Sequence, residues 1–370
     1  LARHRIKIGL IGCGVIAQVM HMHFLTELAD RYEIAALCDL SAELGAACAR
    51  RYHVPQVFQD WRALLGADIE AVMILTSGSH AEMAIAAAAA GKHVFVEKPL
   101  CFSPAEGRQI IAAVAAAGIT LQVGYNKRYD PAFLALQDKV GGLDDVRLVR
   151  VTTFEAPFQP YIAHVPLEGG APPDPAVLAA LRADTERRLE AAVGGDADSR
   201  RLYHTMLLDS LVHELNGLRA LLGEPDLVDY ADLGRHGATV ALRFGPTRAT
   251  INWIDLPGIA RYAMEFAFFA PDRRLSLRFP SPYLRNAPAV LTEEAGRPGS
   301  AQSRSTAELV SYQAGFKEEL IHFHDCIMTG ATPRTTAADA LHDVALCRSI
   351  LLSHRCHSSV ANPSSYSEAA

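Results

Sequence analysis

Short apolar runs alternate with Ala-rich stretches through the first third of the chain. The runs Lys7–Ile11, Ile34–Cys38, Ala71–Leu75, His93–Val96 and Thr120–Val123 predict strands. The stretches Val15–Ala29, Ala42–Arg51, Trp61–Leu65, Ala81–Ala90 and Pro104–Ala117 predict the helices between them. Each run is almost wholly apolar, as expected of a strand covered on both faces, so the pattern implies βαβ units on a parallel sheet. Gly91 and Gly118 follow Ala-rich helices, where a left-handed cap costs least. Ser103-Pro104 reads as an N-cap with proline in the first turn.

Beyond about residue 145 the pattern changes. Val146–Glu155 predicts a strand, and the Pro- and Gly-rich stretch 156–174 a loop. Ala176–Val193 predicts an amphipathic helix rich in Arg and Glu, and Leu202–Leu222 a second helix ended by Gly223. The runs Leu227–Leu233, Ala238–Phe244, Arg248–Ile254, Tyr262–Phe269 and Leu275–Phe279 are broken by Gly-Pro, Leu-Pro-Gly and Pro-Asp, which predicts an antiparallel sheet. Helix returns at Phe316–Thr329 and Ala337–Ser353. The expected fold is therefore α/β plus α+β. A doubly wound domain spans 1–126, an α+β domain with an open antiparallel sheet spans 127–357, and a mobile tail covers 358–370.

Half of the 370 residues are hydrophobic and the net charge is −6, composition for two sizeable cores. The near-neutral balance offers no global basic field for nucleic acid, and no segment is long and apolar enough for a bilayer span. The basic opening Leu1–Arg5 runs straight into a strand pattern and does not read as a signal peptide, so a cytoplasmic location is expected. The seven cysteines include no C-x-x-C pair and no zinc spacing, which predicts reduced thiols and no metal. Only 6 of the 35 basic residues are Lys, and the Arg- and Ala-rich composition suggests a GC-rich genome.

Gly12, Gly14 and Ala17 form G-x-G-x-x-A directly after a predicted strand and at the start of a helix. The first Gly permits a tight turn, the second lets the backbone approach a pyrophosphate, and a small third residue allows close helix packing. Backbone amides around Val15 and Ile16 would face the phosphates. Asp39 ends the second strand, where a carboxylate accepts both ribose hydroxyls and repels a 2′-phosphate. A dinucleotide-binding domain using NAD rather than NADP is expected.

Four strings stand apart from this periodicity: T-S-G-S-H (76–80), A-G-K-H-V-F-V-E-K-P-L (90–100), V-G-Y-N-K-R-Y (123–129) and D-S-L-V-H-E-L-N (209–216). With them the chain resembles the Gfo/Idh/MocA oxidoreductases, from residue 6 to about 350. The resemblance implies a Rossmann domain, an antiparallel-sheet domain through whose sheet homodimers or homotetramers form, and NAD(P)-dependent oxidation or reduction of sugars and cyclitols. It implies that Lys98 polarises the reacting oxygen, that His213 is the general base and that Asp209 shares the substrate contact. It also implies a cis Lys98–Pro99 bond. Ser77, His80, Glu97, Lys98 and Asn126 would line the cofactor, and Arg128, Asn216 and Tyr203 the substrate. On residue physics alone, Lys98 ends a parallel strand, the edge at which ligands bind in such sheets. Asp209 and His213, four apart on a helix, share a face, where a carboxylate fixes the imidazole.

The chain departs from the family in two places. R-R-L-Y-H-T-M-L-L-D (200–209) stands where a run of glycines is common, and 156–201 is long and Pro-rich. That stretch is expected either to lid the substrate cleft, with Arg200, Arg201, Tyr203 and His204 as contacts, or to form a subunit-contact arm. The leading functional expectation is an NAD-dependent dehydrogenase of a secondary hydroxyl on a sugar, aminosugar or cyclitol, or the reverse ketone reductase. Its place would be secondary metabolism such as aminoglycoside tailoring. The alternatives are an NAD-dependent non-redox glycosidase or epimerase, and an inactive dinucleotide-sensing protein.

Overall fold

The computed structural model describes residues 4–361. The chain forms two compact units, each described by itself. One holds the residues up to 126 together with 164–196 and 316–344, and the other holds 127–163, 197–315 and the residues from 345 on. The sequence expectation gave everything after 126 to one domain. Instead, two later segments return to the first unit, and their polar and apolar contacts there explain why.

The first unit is built on six parallel strands: β1 (Ile6–Ile11), β2 (Tyr32–Cys38), β3 (Gln56–Phe58), β4 (Ala71–Ile74), β5 (His93–Glu97) and β6 (Leu121–Gly124). They lie in the order β3-β2-β1-β4-β5-β6, so the order reverses between β1 and β4. The short edge strand β3 was missed in the sequence because Gln56–Phe58 is three residues long and mostly exposed. The strands β1, β4, β5 and β6 are almost wholly buried, as two-sided covering requires.

Local signals set the helix ends. A π-turn, Ala17–His21, continues as α1 (Met22–Glu27). Ser41 caps α2 (Ala42–Tyr52), and Asp60 caps α3 (Trp61–Leu65). α4 spans Ala81–Ala89. α5 (Pro104–Ala117) opens on a complete capping box between Ser103 and Glu106 and ends on left-handed Gly118, as the sequence predicts. The returning helix Gly315–Thr329 is fastened to the sheet by Tyr32, whose hydroxyl donates to Leu320 O at 2.6 Å, and by Gln122, whose amide donates to Glu319 O at 2.8 Å. The returning helix Pro175–Val193 is held by Arg188, which reaches Glu106 of α5 at 3.0 Å and Glu82 of α4 at 3.6 Å. Its expected amphipathic face is slight: only Leu189 and Ala192 are buried, while Val177 and Leu181 are exposed.

The second unit carries the other sheet. Its strands are β7 (Leu148–Glu155), β8 (Leu227–Leu233), β9 (Gly237–Phe244), β10 (Thr247–Asp255), β11 (Ala263–Phe269), β12 (Arg273–Phe279), β13 (Val290–Gly296), β14 (Ser303–Leu309) and β15 (Val360–Ala361). The order is β14-β13-β12-β11-β7-β10-β9-β8-β15. Neighbours pair antiparallel except β7 and β10, which run parallel in the register Leu148↔Arg248 to Glu155↔Asp255. One face is buried: β9 and β10 alternate buried with more exposed positions along their length. Phe133 and Phe266 meet edge to face beneath it at 6.3 Å, and Gly217 lies so near Phe266 that a Cβ would come within 2.7 Å of the ring. The expected mobile tail is corrected at its start, because Val360–Ala361 pairs with β8. The rest of that tail, 362–370, lies outside the described residues.

Candidate active site

Gly12 follows β1 with φ +98, and a Cβ there would lie 3.1 Å from the carbonyl carbon and oxygen of Leu75. A side chain is excluded on both counts. Gly14 is exposed and nothing stands within 4 Å of where its Cβ would be, so the backbone after β1 faces open ground. Val15 and Ile16 are half-buried at the entry to the π-turn. Asp39, just past β2, has both carboxylate oxygens aimed by backbone amides. Oδ2 accepts from Cys13 N at 2.8 Å, and Oδ1 accepts from Ser41 N at 2.9 Å. The remaining lone pairs can accept ribose hydroxyls. An open phosphate ground beside a fixed carboxylate fits the adenosine and pyrophosphate of a dinucleotide.

The E-K-P turn lies on the same carboxyl edge, after β5. Lys98 is half-buried, and the Lys98–Pro99 bond is cis. Two predicted cofactor residues brace this turn. His80 is fully buried, with Nδ1 facing Pro99 O at 2.7 Å and Nε2 facing Thr76 O at 2.8 Å. Burial holds its imidazole below the ordinary value of 6.5 despite those two carbonyls. With no exposed surface and a carbonyl oxygen opposite each ring nitrogen, His80 stands between the β4 and β5 loops. Glu97 is buried as well. Its Oε1 meets His21 Nε2 at 2.7 Å, and its Oε2 accepts from Lys98 N at 3.2 Å. Ser77 is exposed in the loop after β4. Asn126 is buried at the end of the unit, and its Oδ1 has no partner among the described residues.

Behind Glu97 stands Glu319, with both carboxyl oxygens buried and unpartnered among the described residues. Burial, and then the charge of Glu97, pushes its carboxyl well above the ordinary 4.5. His21, Glu97 and Glu319 gather their ligand atoms within 4.8 Å of one another. The His21–Glu97 contact is a normal hydrogen-bond length. We read this trio as a brace under the E-K-P turn. No local pattern signals it, because its members are 76 and more residues apart.

In the second unit, the predicted helix Leu202–Leu222 is two pieces, a π-helix Leu202–Leu211 and an α-helix Val212–Leu222. Asp209 lies in the π-helical part and His213 in the α-helical part, so the uniform α-helical face expected for them is corrected. Asp209 is exposed and His213 half-buried, while Leu208, Leu211, Val212 and Glu214 around them are buried. Arg128 donates to the Oδ1 of buried Asn216 at 3.3 Å, so two predicted substrate residues meet. Tyr203 is buried with no exposed surface and packs within the unit. Arg200 and His204 are half-buried, and exposed Arg201 pairs with Asp198 at 2.8 Å.

Three charged groups near Asp209 escaped the sequence reading. Glu155 ends β7, and burial raises its carboxyl, with Asp209 and Asp255 adding to the effect against nearby Lys127. Glu214 is fully buried. Its Oε1 accepts from Thr153 Oγ1 at 2.5 Å, its Oε2 has no partner among the described residues, and burial pushes its carboxyl up to about 7. Lys127 is buried too, and its charge opposes both shifts. The available signal was the acidic residue directly after His213.

The Gly turn, the aimed carboxylate and the reversal of strand order between β1 and β4 define a dinucleotide-binding Rossmann unit. A family model described as an oxidoreductase family with an NAD-binding Rossmann fold, Gfo/Idh/MocA, matches residues 6–125. Over these residues the chain is similar to the NAD-binding domain of the Gfo/Idh/MocA oxidoreductases. It is similar to an uncharacterized oxidoreductase of Bacillus subtilis, 35% identical over 170 residues, which cover 45% of this chain and 49% of that one. It is also similar to the inositol 2-dehydrogenase of Paracoccus denitrificans, 39% identical over 140 residues, 36% of this chain and 41% of that one. The match thus spans about half the length of these relatives or less. The myo-inositol 2-dehydrogenase of Thermotoga maritima is 24% identical over 349 residues, 90% of this chain and 91% of that one. Among solved structures, a levoglucosan dehydrogenase in complex with NADH is similar in fold, with TM-score 0.75, 20% identity, and 97% and 100% of the two chains covered. A 3-ketoreductase of Actinomadura kijaniata in complex with NADP is similar at TM-score 0.70 and 19% identity, with 94% and 97% covered. Among the described residues, no helix is long and apolar enough to cross a membrane.

Proposed function

We propose that this chain is an NAD-dependent dehydrogenase that oxidises a secondary hydroxyl of a sugar, aminosugar or cyclitol, or reduces the corresponding ketone. The observation that supports it most is the placing of Lys98 on the carboxyl edge of the sheet that carries the Gly12–Gly14 turn. In the strand order the lysine lies two strands from that turn, after β5, a span of about 10 Å. That suits a dinucleotide laid with its pyrophosphate at Gly14 and its reactive end toward β5.

Gly12, Gly14, Val15, Ile16 and Asp39 would hold the adenosine half, and Ser77 and Asn126 the other half. When bound, NAD supplies the hydride acceptor. Lys98 would donate a hydrogen bond to the reacting oxygen and stabilise its alkoxide character. His213 would take the hydroxyl proton, and Asp209 would hold the imidazole and the substrate. Arg128 and Asn216, already bonded to each other, would position substrate hydroxyls. A homodimer or homotetramer through the second sheet accords with Phe154 and Ile254, which are paired across β7 and β10 and exposed.

The test follows NADH absorbance over a panel of sugars, aminosugars and cyclitols. Lys98→Ala and His213→Ala should each lower kcat by ~100-fold or more while NADH still binds. Unchanged kcat in both would reject the roles. Tightly retained NAD with turnover but no net NADH would favour the non-redox reading, and biological function without turnover would favour a sensor.

A further inference from the structure

The long segment after β7 was expected to lid the substrate cleft or to reach another subunit. Its residues 166–171 lie in the first unit. They run as a strap across the π-turn and α2, held by four side chains. Arg51, in the last turn of α2, donates to Pro166 O. Gln18, in the π-turn after the Gly motif, clasps Glu168 from both sides. Its Oε1 accepts from Glu168 N at 2.8 Å, and its Nε2 donates to Glu168 O at 3.2 Å and to Cys13 O at 2.9 Å. Ser41 Oγ donates to Ala171 O at 2.6 Å, and Glu43 Oε2 accepts from Ala171 N at 2.9 Å. Between the last two clasps, Gly170 lies so close to the first turn of α2 that a Cβ would collide with Leu44 N and come within 2.8 Å of Ser41 Oγ.

This is the ground next to Asp39. A ribose 2′-hydroxyl at Asp39 would carry its phosphate, in NADP, toward the turn after β2 and the α2 N-terminus. There the helix dipole and free amides would otherwise welcome an anion. Here the Ser41 hydroxyl is already spent on Leu44 N and Ala171 O. The Glu43 carboxylate holds the strap and adds negative charge.

We propose that strap 166–171 is a cofactor-specificity element: it covers the first turn of α2 and excludes a 2′-phosphate independently of Asp39. The proposal rests on the reading that the first unit binds NAD. On this view Asp39 repels the phosphate by charge and Gly170–Ala171 deny it space and donors. Removing the acid alone therefore leaves NADP excluded.

The test titrates the full-length protein with NADH and NADPH by cofactor fluorescence. It compares wild type, Asp39→Ser, and Asp39→Ser combined with Gln18→Ala and Glu43→Ala, which release Glu168 and Ala171. A second route to release is Gly170→Val in the Asp39→Ser background, where the new side chain forces the strap off Leu44 N. The ratio of NADPH to NADH dissociation constants should stay above about 10 in Asp39→Ser, and should fall by a further ~10-fold or more when the strap is released by either route. A ratio near one in Asp39→Ser alone, or one unmoved by both releases, overturns the strap while leaving the NAD reading in place. Wild type that binds NADPH as tightly as NADH overturns both. Wild type that binds neither overturns the dinucleotide reading itself.

Discussion

Glu214 offers a quantitative check on the second unit. Its side chain is buried against β7, one oxygen bonded to Thr153 and the other without a partner among the described residues. Burial is the main cause that raises its carboxyl from the ordinary 4.5 to about 7, against the pull of Thr153 and Lys127. The folded chain therefore holds a proton that the unfolded chain releases between pH 4.5 and 7. Stability falls as pH rises through that window and levels off above it. Each pH unit of separation is worth 1.36 kcal/mol, so the whole loss is about 3 kcal/mol, of which roughly 2–3 lies between pH 5 and 8. Glu214→Gln keeps an oxygen for Thr153 and carries no charge at any pH. Its stability should therefore lack this loss, and the variant should be more stable than wild type above pH 7 by roughly that amount. Urea unfolding in a Trp61→Phe background, with Trp253 of β10 as the remaining indole, reports on the same unit. Subtracting the two stability curves removes every other titrating group. A difference flat to within about 0.5 kcal/mol from pH 5 to 8 would refute the reasoning.

Three further outcomes follow from the first unit. Gly12→Ala should weaken NADH binding by at least ~10-fold in a fluorescence titration, because a Cβ meets the Leu75 carbonyl and the backbone has φ +98. Unchanged affinity would remove the turn from the binding site. Ser103→Ala breaks the capping box of α5 and should cost about 1 kcal/mol in denaturant unfolding, with dinucleotide affinity unchanged. Glu319→Gln should be tolerated and should flatten the decline of stability with rising pH, since burial keeps that carboxyl raised. A steeper decline in the variant would show that Glu319 is ionised in the fold.

What the sequence disclosed depended on how local the cause was. The parallel sheet was readable because each strand is a continuous apolar run and each helix carries its own signals, as at Ser103, Pro104 and Gly118. Strand β3 was not, since three residues mostly exposed carry no period. The Gly turn and Asp39 were readable because turn geometry restricts residue type. The π-helix at Leu202–Leu211 was not, because one more residue per turn leaves an apolar stretch looking like any other helix. The bracing of the E-K-P turn escaped for another reason. The resemblance assigns His80 and Glu97 to the cofactor, and it says nothing of the Thr76 and Pro99 carbonyls that face His80 or of the His21 imidazole that meets Glu97.

The first unit spends buried polar groups on aiming one turn. Lys98 must keep a charged amine near a strand end, and a backbone free to shift there would lose the direction of that amine. His80 ties Pro99 to Thr76, and Glu97 ties Lys98 N to His21. The backbone is thus engaged on both sides of the lysine's side chain, at Lys98 N by Glu97 and at Pro99 O by His80. Burying Glu319 behind Glu97 costs stability when it is ionised, and burial and the Glu97 charge both raise its carboxyl and so favour the protonated form. The same logic governs Glu214 beside His213 in the second unit. In both places a buried acid whose carboxyl is raised by burial lies close to a residue assigned to the chemistry.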